Sequence, residues 1–148
     1  MDPNALDEVI RQRRTIKPPM MSEAPVSEET LRAILENANW APSHGLTEPW
    51  RFRIFRGDAR QRLAEKLGDL YEQALPPEAQ KPGKAEKLRE MPTLAPVVIL
   101  VWMKRQENEK IHELEEIEAV ACSVQNMHLS ATARGLGAFW STPPVLQW

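Results

Sequence analysis

The chain has a single cysteine among its 148 residues, Cys122. One thiol cannot close an intrachain disulfide, so nothing asks for an oxidising compartment, and a cytoplasmic location is the default expectation. No apolar run approaches membrane-spanning length, and the N-terminus, MDPNALDEVIRQRR, carries early acids and no apolar segment of signal type. Basic charge is not in excess, because 19 Lys and Arg stand against 21 Asp and Glu for a net charge of −2. Nucleic acid and membrane surfaces, both of which call for a marked basic surplus, are therefore not expected partners. Three histidines, His44, His112 and His128, show no zinc-ligand spacing, and His112-Glu113 lacks a second histidine four residues on. No metal is expected. A GxSxG elbow and a phosphate-cradling glycine loop are missing, and Gly135-Leu-Gly137 is too short for a dinucleotide fingerprint. Neither an internal repeat nor a low-complexity tract is found.

What remains is 148 residues with 42% hydrophobic content, enough for one domain with a substantial core, expected to span 1–148. The organising stretch is ELEEIEAVACSVQNMHLSATARGLGAFW, Glu113 to Trp140, which reads as a long helix, a glycine stop and a short strand. Its middle is apolar on nearly every face and rich in small residues, among them Ala119, Ala121, Cys122, Ser123, Ser130, Ala131 and Ala133. A helix of that kind is either the centre of a domain or the seam between two copies, and both together fit best. Glu113, Glu115, Glu116 and Glu118 suit the positive end of the helix dipole, while Arg134 and a left-handed Gly135 mark its exit. Cys122, among apolar neighbours, is expected to be a small buried thiol.

In chain order, Leu6, Val9 and Ile10 keep i, i+3, i+4 spacing on a first short helix, stopped by Pro18 and Pro19. A second helix starts from Ser27 as N-cap, with Leu31, Ile34, Leu35 and Ala38 as its buried stripe. Trp50 to Phe55 alternates as a strand. A third helix carries Leu63, Leu67, Leu70 and Tyr71 and ends at Pro76-Pro77. Residues 78–91 are charged and weakly periodic, which suggests a short mobile helix or lid rather than core. Pro96 to Met103, PVVILVWM, reads as a strand covered on both faces at the centre of the sheet. Lys104 to Lys110 is a polar connector, Ala138 to Ser141 returns to the sheet, and PPVLQW closes the chain without a further element. The expected class is α+β.

Four stretches carry a resemblance: Arg13-Arg14-Thr15 with Lys17, APSH…EPWRF at 41 to 53, APVVILV at 95 to 101, and AVACSVQNMHLSATARGLGAFW at 119 to 140. Their order and spacing resemble the nitroreductase family, closest to its compact branch. The resemblance implies a central mixed β-sheet flanked by helices, with a long buried central helix and a homodimer that binds flavin mononucleotide (FMN) at its interface. It implies an oxidoreductase that takes hydride from NAD(P)H and passes electrons to a nitroaromatic, a quinone or a similar flat small molecule in ping-pong fashion. The chemistry resides on the flavin, and no protein acid or base is required. Two other readings suit the same residues: a non-catalytic flavin- or ligand-binding dimer, and a truncated, impaired family member. Members of the family usually continue past the GLGxxW strand with another helix and strand, and by that pattern the chain is expected to lack the C-terminal strand.

The resemblance also implies site residues. Arg13 and Thr15 match positions that hold the flavin phosphate or ribityl chain, as forked guanidinium hydrogen bonds and a nearby hydroxyl can; Arg14 lies in the same triplet. Lys17 matches a position near the flavin's pyrimidine edge, where a fixed cation offsets negative charge. Read from the residues alone, the same cluster is a solvated basic helix end, which the helix dipole favours. His44 matches a flavin contact often contributed by the partner subunit, and Trp40 is a weaker candidate. Glu48 replaces the family's usual glutamine and loses the amide donor. Trp140, Ser141 and Thr142 match the stretch that packs alongside the flavin.

Overall fold

End signals and small residues place the long helix where the sequence predicts it. In the computed structural model, which describes residues 2–107 and 110–143, the elements run α1 (Pro3–Gln12), α2 (Glu28–Asn39), β1 (Trp50–Arg56), α3 (Asp58–Ala74), α4 (Lys84–Glu90), β2 (Val97–Met103) and α5 (Glu113–Thr132). The His112 ring accepts the Leu114 N–H as N-cap of α5. At the other end Gly135 takes φ +71°, and Leu136 and Gly135 donate to the carbonyls of Ala131 and Thr132 at 2.9 and 3.0 Å. These bonds satisfy carbonyls the helix would otherwise leave open. Residues 144–148, expected to carry no further element, and residues 108–109 of the polar connector lie outside the described residues.

The chain divides into two compact units. The first comprises the described residues of Met1–Thr15, Val26–Arg53 and Leu100–Ala138. Here α2 packs along α5 with Leu31, Ile34 and Ala38 buried, and Ser27 Oγ accepts the Thr30 N–H at 3.1 Å as the predicted cap. Asn37 joins the two helices: its amide donates to Ser130 Oγ at 2.9 Å, and its carbonyl accepts from Asn126 at 3.2 Å. Ala41, Trp50 and Ala119 form a small core with Phe52 and Val120. Helix α1 also packs on α5, yet none of its residues is buried. On α5 one face is covered, through Ala119, Ser123, Val124, Met127 and Ala131, while Leu114 and Ile117 are about half exposed. Cys122 is exposed too, which corrects the expected buried thiol, because α5 buries only part of its circumference and Cys122 is not among the residues it buries.

The second unit comprises the described residues of Ile16–Pro25, Ile54–Ile99 and Phe139–Trp148. Its core is Leu67 and Tyr71 of α3 against Ala85 and Leu88 of α4. Residues 84–90 are therefore a core element rather than a mobile lid. Two apolar residues three apart suffice to bury a seven-residue helix, and polar side chains hold the hairpin shut. Tyr71 Oη accepts the Lys81 N–H at 2.8 Å, and the Gln80 amide donates to the carbonyls of Glu72 and Leu75. Arg89 donates to Glu72 and Asp69, and its hydrogen bond holds the Glu72 carboxyl below the usual range.

β1 and β2 pair as a two-stranded antiparallel sheet, extended at one end by the Lys104 N–H donating to Pro49 O at 2.8 Å. β2 is half-buried along its length, with Trp102 42% exposed, so the expectation of a strand covered on both faces is not met. Among the described residues it has one strand neighbour. The strand expected at Ala138 to Ser141 is reduced to a single parallel bridge between Thr15 and Ala138.

Candidate functional site

The basic cluster ending α1 sorts itself by what each guanidinium touches. Arg11 pairs with Asp7 one turn back at 3.1 Å, on the surface. Arg14 folds over the helix end, donating through Nη1 to the carbonyls of Arg11 and Arg13, two of the acceptors a helix C-terminus leaves open. Arg13 is the C-cap, its N–H donating to Val9 O at 3.0 Å, and its side chain is half-buried. Among the described residues no carboxylate pairs with it. Of the matched triplet, Arg13 is thus the cation left available for an external anion, while Arg14 serves its own helix.

Thr15 is exposed and bridges in parallel to Ala138, two residues before Trp140. That bridge lays the segment leaving α1 beside the segment leaving α5, the two stretches most specific to the resemblance. In the second unit Lys17 is exposed and precedes a 3-10 turn, its carbonyl accepting the Met20 N–H at 2.8 Å. Trp140 is 58% exposed, and Ser141 and Thr142 are exposed.

His44 opens another 3-10 turn, His44–Leu46, in the first unit. Its Nδ1 lies 2.5 Å from Glu115 Oε2, which ties the loop to the first turn of α5. The loop holds three left-handed residues, Gly45, Leu46 and Glu48, with φ of +61°, +54° and +42°. For Leu and Glu that conformation costs about 1–2 kcal/mol each, a cost met where function or packing fixes the backbone. Leu46 is 84% exposed, so packing within the chain does not explain its conformation. The weaker candidate Trp40, at the end of α2, is 77% exposed.

One residue of interest was not singled out by sequence reasoning. His128, half-buried in α5, has its imidazole pushed below its ordinary value, first by burial and then by the Arg13 guanidinium. The Arg13 guanidinium at the end of α1 thus acts on an imidazole of α5. The signal was present in the sequence, as a histidine between Met127 and Leu129 in the stretch QNMHLSATARGLG. Arg13 and His44 are not brought together: His44 is tied to Glu115, and His128 stands 13 residues further along α5, about 20 Å at 1.5 Å per residue.

A pocket of about 180 Å³ lies by Tyr71, Gln80 and Lys81, and an open groove of about 500 Å³ runs along α2 by Arg32, Leu35 and Asn39. Neither is lined by a candidate residue. No group of three metal-ligating side chains occurs among the described residues, and no described helix is long and apolar enough to cross a membrane.

Comparison with known proteins adds a frame to this geometry. The pattern of the Nitroreductase family matches residues 10–144. YdjA of Escherichia coli (strain K12), provisionally named an NAD(P)H nitroreductase, is 31% identical over 137 residues, which are 93% of this chain and 71% of that protein. A nitroreductase-like family protein from Bacillus cereus superposes with a TM-score of 0.77 at 27% identity, covering 95% of this chain and 74% of that one. A Desulfovibrio desulfuricans protein, provisionally named a nitroreductase and solved in complex with FMN, superposes with a TM-score of 0.66 at 30% identity, covering 97% and 70%.

Proposed function

The chain belongs to the nitroreductase family, and from that premise we propose an FMN-dependent oxidoreductase that uses NAD(P)H to reduce nitroaromatic, quinone or similar flat acceptors, the two substrates taking turns at one site. The observation that carries the reading is the family match over residues 10–144, which takes in Arg13, Arg14, Thr15, Lys17, His44, Trp140, Ser141 and Thr142. YdjA is provisionally named for NAD(P)H, and the D. desulfuricans relative was solved with FMN.

The residues present suit FMN. A half-buried guanidinium with no carboxylate beside it among the described residues is a ready partner for a phosphate, through charge-assisted hydrogen bonds. Thr15, two residues on, offers an exposed hydroxyl. FMN, when bound, supplies the hydride chemistry. The chain's own part is to hold and orient: Arg13 and Thr15 on the phosphate side, Lys17 as the fixed cation of the pyrimidine edge, and Trp140, Ser141 and Thr142 flanking the ring. In this reading Arg14 supports the cluster by capping α1 rather than by touching the flavin.

A homodimer belongs to the same proposal. Leu6 and Ile10 of α1 and Leu114 and Ile117 of α5, all in the first unit, are 48–54% exposed, an apolar surface suited to a second copy. His44, distant from Arg13 along α5, would then serve the partner's site. A cytoplasmic setting is proposed on the single cysteine. The test is an absorption spectrum of the purified protein before and after FMN addition, followed by NADH and NADPH oxidation with a quinone or nitroaromatic acceptor. Flavin binding with acceptor-dependent oxidation is expected. Folded protein that binds no FMN, or binds it without turnover, refutes the reading.

A further inference from the structure

We propose that Glu115 is a positioning residue that acts through His44: by accepting the hydrogen of Nδ1 it leaves Nε2 bare, so that the turn presents a hydrogen-bond acceptor to a donor group of the flavin, a ring N–H or a ribityl O–H. This rests on the reading of His44 as a flavin contact given above, and adds to it the polarity of that contact and the residue that sets it.

Both residues belong to the first unit, and the start of α5 fixes one of them. His112 caps the helix, its ring accepting the Leu114 N–H and its carbonyl the Glu115 N–H at 3.1 Å, so Glu115 stands in the first turn with its backbone held. The turn His44–Leu46 packs on α5, and Glu115 Oε2 lies 2.5 Å from His44 Nδ1. Two further contacts hold this loop. Gly45 lies against Ile111, where a Cβ would meet the Ile111 Cδ1 at 3.5 Å, and Ser43 Oγ accepts the Glu48 N–H at 3.3 Å. Yet the His44 side chain is 63% exposed, and among the described residues its Nε2 has no hydrogen-bond partner. The ring is tethered at one nitrogen and open at the other.

An ionised carboxylate can only accept a hydrogen bond, so the nitrogen facing Glu115 carries the hydrogen and, in the neutral ring, the other nitrogen carries a lone pair. An exposed ion pair adds little to stability. The consequence of this one therefore lies in the side of the ring it leaves free. A bare nitrogen accepts from N–H or O–H and is repelled by the lone pairs of a phosphate or carbonyl oxygen. On FMN the groups that fit are the ring N3–H and the ribityl hydroxyls. Arg13 and Lys17 can only donate, so His44 supplies a polarity that they lack.

The experiment combines a nitrogen-15 spectrum of histidine-labelled protein at pH 8.5, above the ordinary imidazole range, with FMN dissociation constants at the same pH. It compares wild type, Glu115→Leu, Glu115→Gln, His44→Leu and the double variant Glu115→Leu/His44→Leu, and the His44 signals are those missing from His44→Leu. In wild type His44 should carry its hydrogen on Nδ1. Glu115→Leu should spread that hydrogen over both nitrogens and weaken FMN binding about fivefold, within the range for one neutral hydrogen bond. The double variant should bind no worse than His44→Leu alone. Glu115→Gln, whose amide oxygen still accepts, should keep both the tautomer and the affinity near wild type. FMN methylated at N3 separates the two donors: binding that no longer depends on Glu115 assigns the ring N–H, and dependence that persists assigns a ribityl hydroxyl. A wild-type His44 with its hydrogen on Nε2, or a Glu115→Leu loss that persists in the His44→Leu background, overturns this proposal and leaves the flavin reading standing. Folded wild-type protein that binds no FMN overturns both.

Discussion

Replacing Arg105 with methionine should destabilise the protein more than any comparable surface change. Glu116 is 1% exposed on the inner face of α5, and its Oε2 lies 2.5 Å from Arg105 Nη1, the side chain of which is 27% exposed. The other carboxylate oxygen, Oε1, has no hydrogen-bond partner among the described residues. Glu116 thus depends on Arg105 for its counter-charge, and Arg105→Met leaves a charge in the interior while keeping most of the aliphatic stem. Breaking a buried pair from one side costs about 3–5 kcal/mol. For a chain of this length each kcal/mol lowers Tm by roughly 2–4 °C, so the midpoint should fall by about 6–20 °C. Adding Glu116→Leu to Arg105→Met should recover most of the loss, because an apolar pair needs no desolvation of charge. Urea and thermal denaturation followed by circular dichroism read both effects. A single variant that melts within about 1 °C of wild type, or a double variant no more stable than the single one, would refute the argument that Glu116 is charged and held by Arg105.

Arg13→Ala should weaken FMN binding by roughly 1.5–3 kcal/mol, the range for a charge-assisted hydrogen bond, while Arg11→Ala, which removes a surface pair with Asp7, should change it little; isothermal titration giving equal losses would point to general electrostatics instead. Ile117→Glu, at a half-exposed position on α5, should convert the proposed homodimer to monomer, and an unchanged sedimentation coefficient would exclude this face as the interface. Stability should also fall on acidification: the His128 value is lowered on folding, so between its ordinary value near 6.5 and the lowered one the unfolded chain holds a proton the folded chain does not. Stability from this group is complete above about pH 6.5 and is lost as pH drops through the lowered value, and His128→Leu should flatten that decline in urea midpoints taken at pH 7.5 and 5.5.

The helices with clear ends were legible in the sequence. Ser27 caps α2 as expected, and α5 runs from Glu113 to Thr132 with Gly135 left-handed just beyond it. Those signals are local: a side-chain oxygen at a helix start and a glycine free of Cβ strain at its end act within a few residues. What failed was inference from composition about burial. Residues 78–91 looked too polar for a core, yet Ala85 and Leu88 bury against Leu67 and Tyr71 because Tyr71, Gln80 and Arg89 satisfy the polar groups around them. The apolar run at β2 looked buried, yet Trp102 stands 42% exposed, and Leu6 and Ile10 on the apolar stripe of α1 stand 50% and 48% exposed. A run of hydrophobic residues states that something covers it, not whether the cover lies in the same chain. At the site, the arginine cluster was legible as a cluster, but its division into a helix cap, a surface pair and one available guanidinium required coordinates. His128 escaped notice because a lone histidine on an apolar helix gives no sign of which neighbour faces it.

The distance between Arg13 and His44 along α5 bears directly on how many chains make one site. Glu115, which holds His44, and His128, which feels the Arg13 charge, stand about 20 Å apart along α5, so if Arg13 and His44 both serve one flavin, His44 is expected to come from a second copy. In a symmetric dimer that arrangement gives two equal sites, each with Arg13 from one subunit and His44 from the other. Mixing variants tests it. An Arg13→Ala homodimer has two sites without the guanidinium, and a His44→Ala homodimer has two without the imidazole. In the mixed dimer the intact Arg13 and the intact His44 meet at one site, and both defects fall on the other. Random exchange at equal amounts makes half of the dimers mixed, so about a quarter of all sites should regain wild-type affinity for FMN. If flavin binding by the mixture, after unfolding and joint refolding, merely averages the two variants, Arg13 and His44 do not act across the interface, and the loop at His44 owes its strained backbone to something other than the flavin.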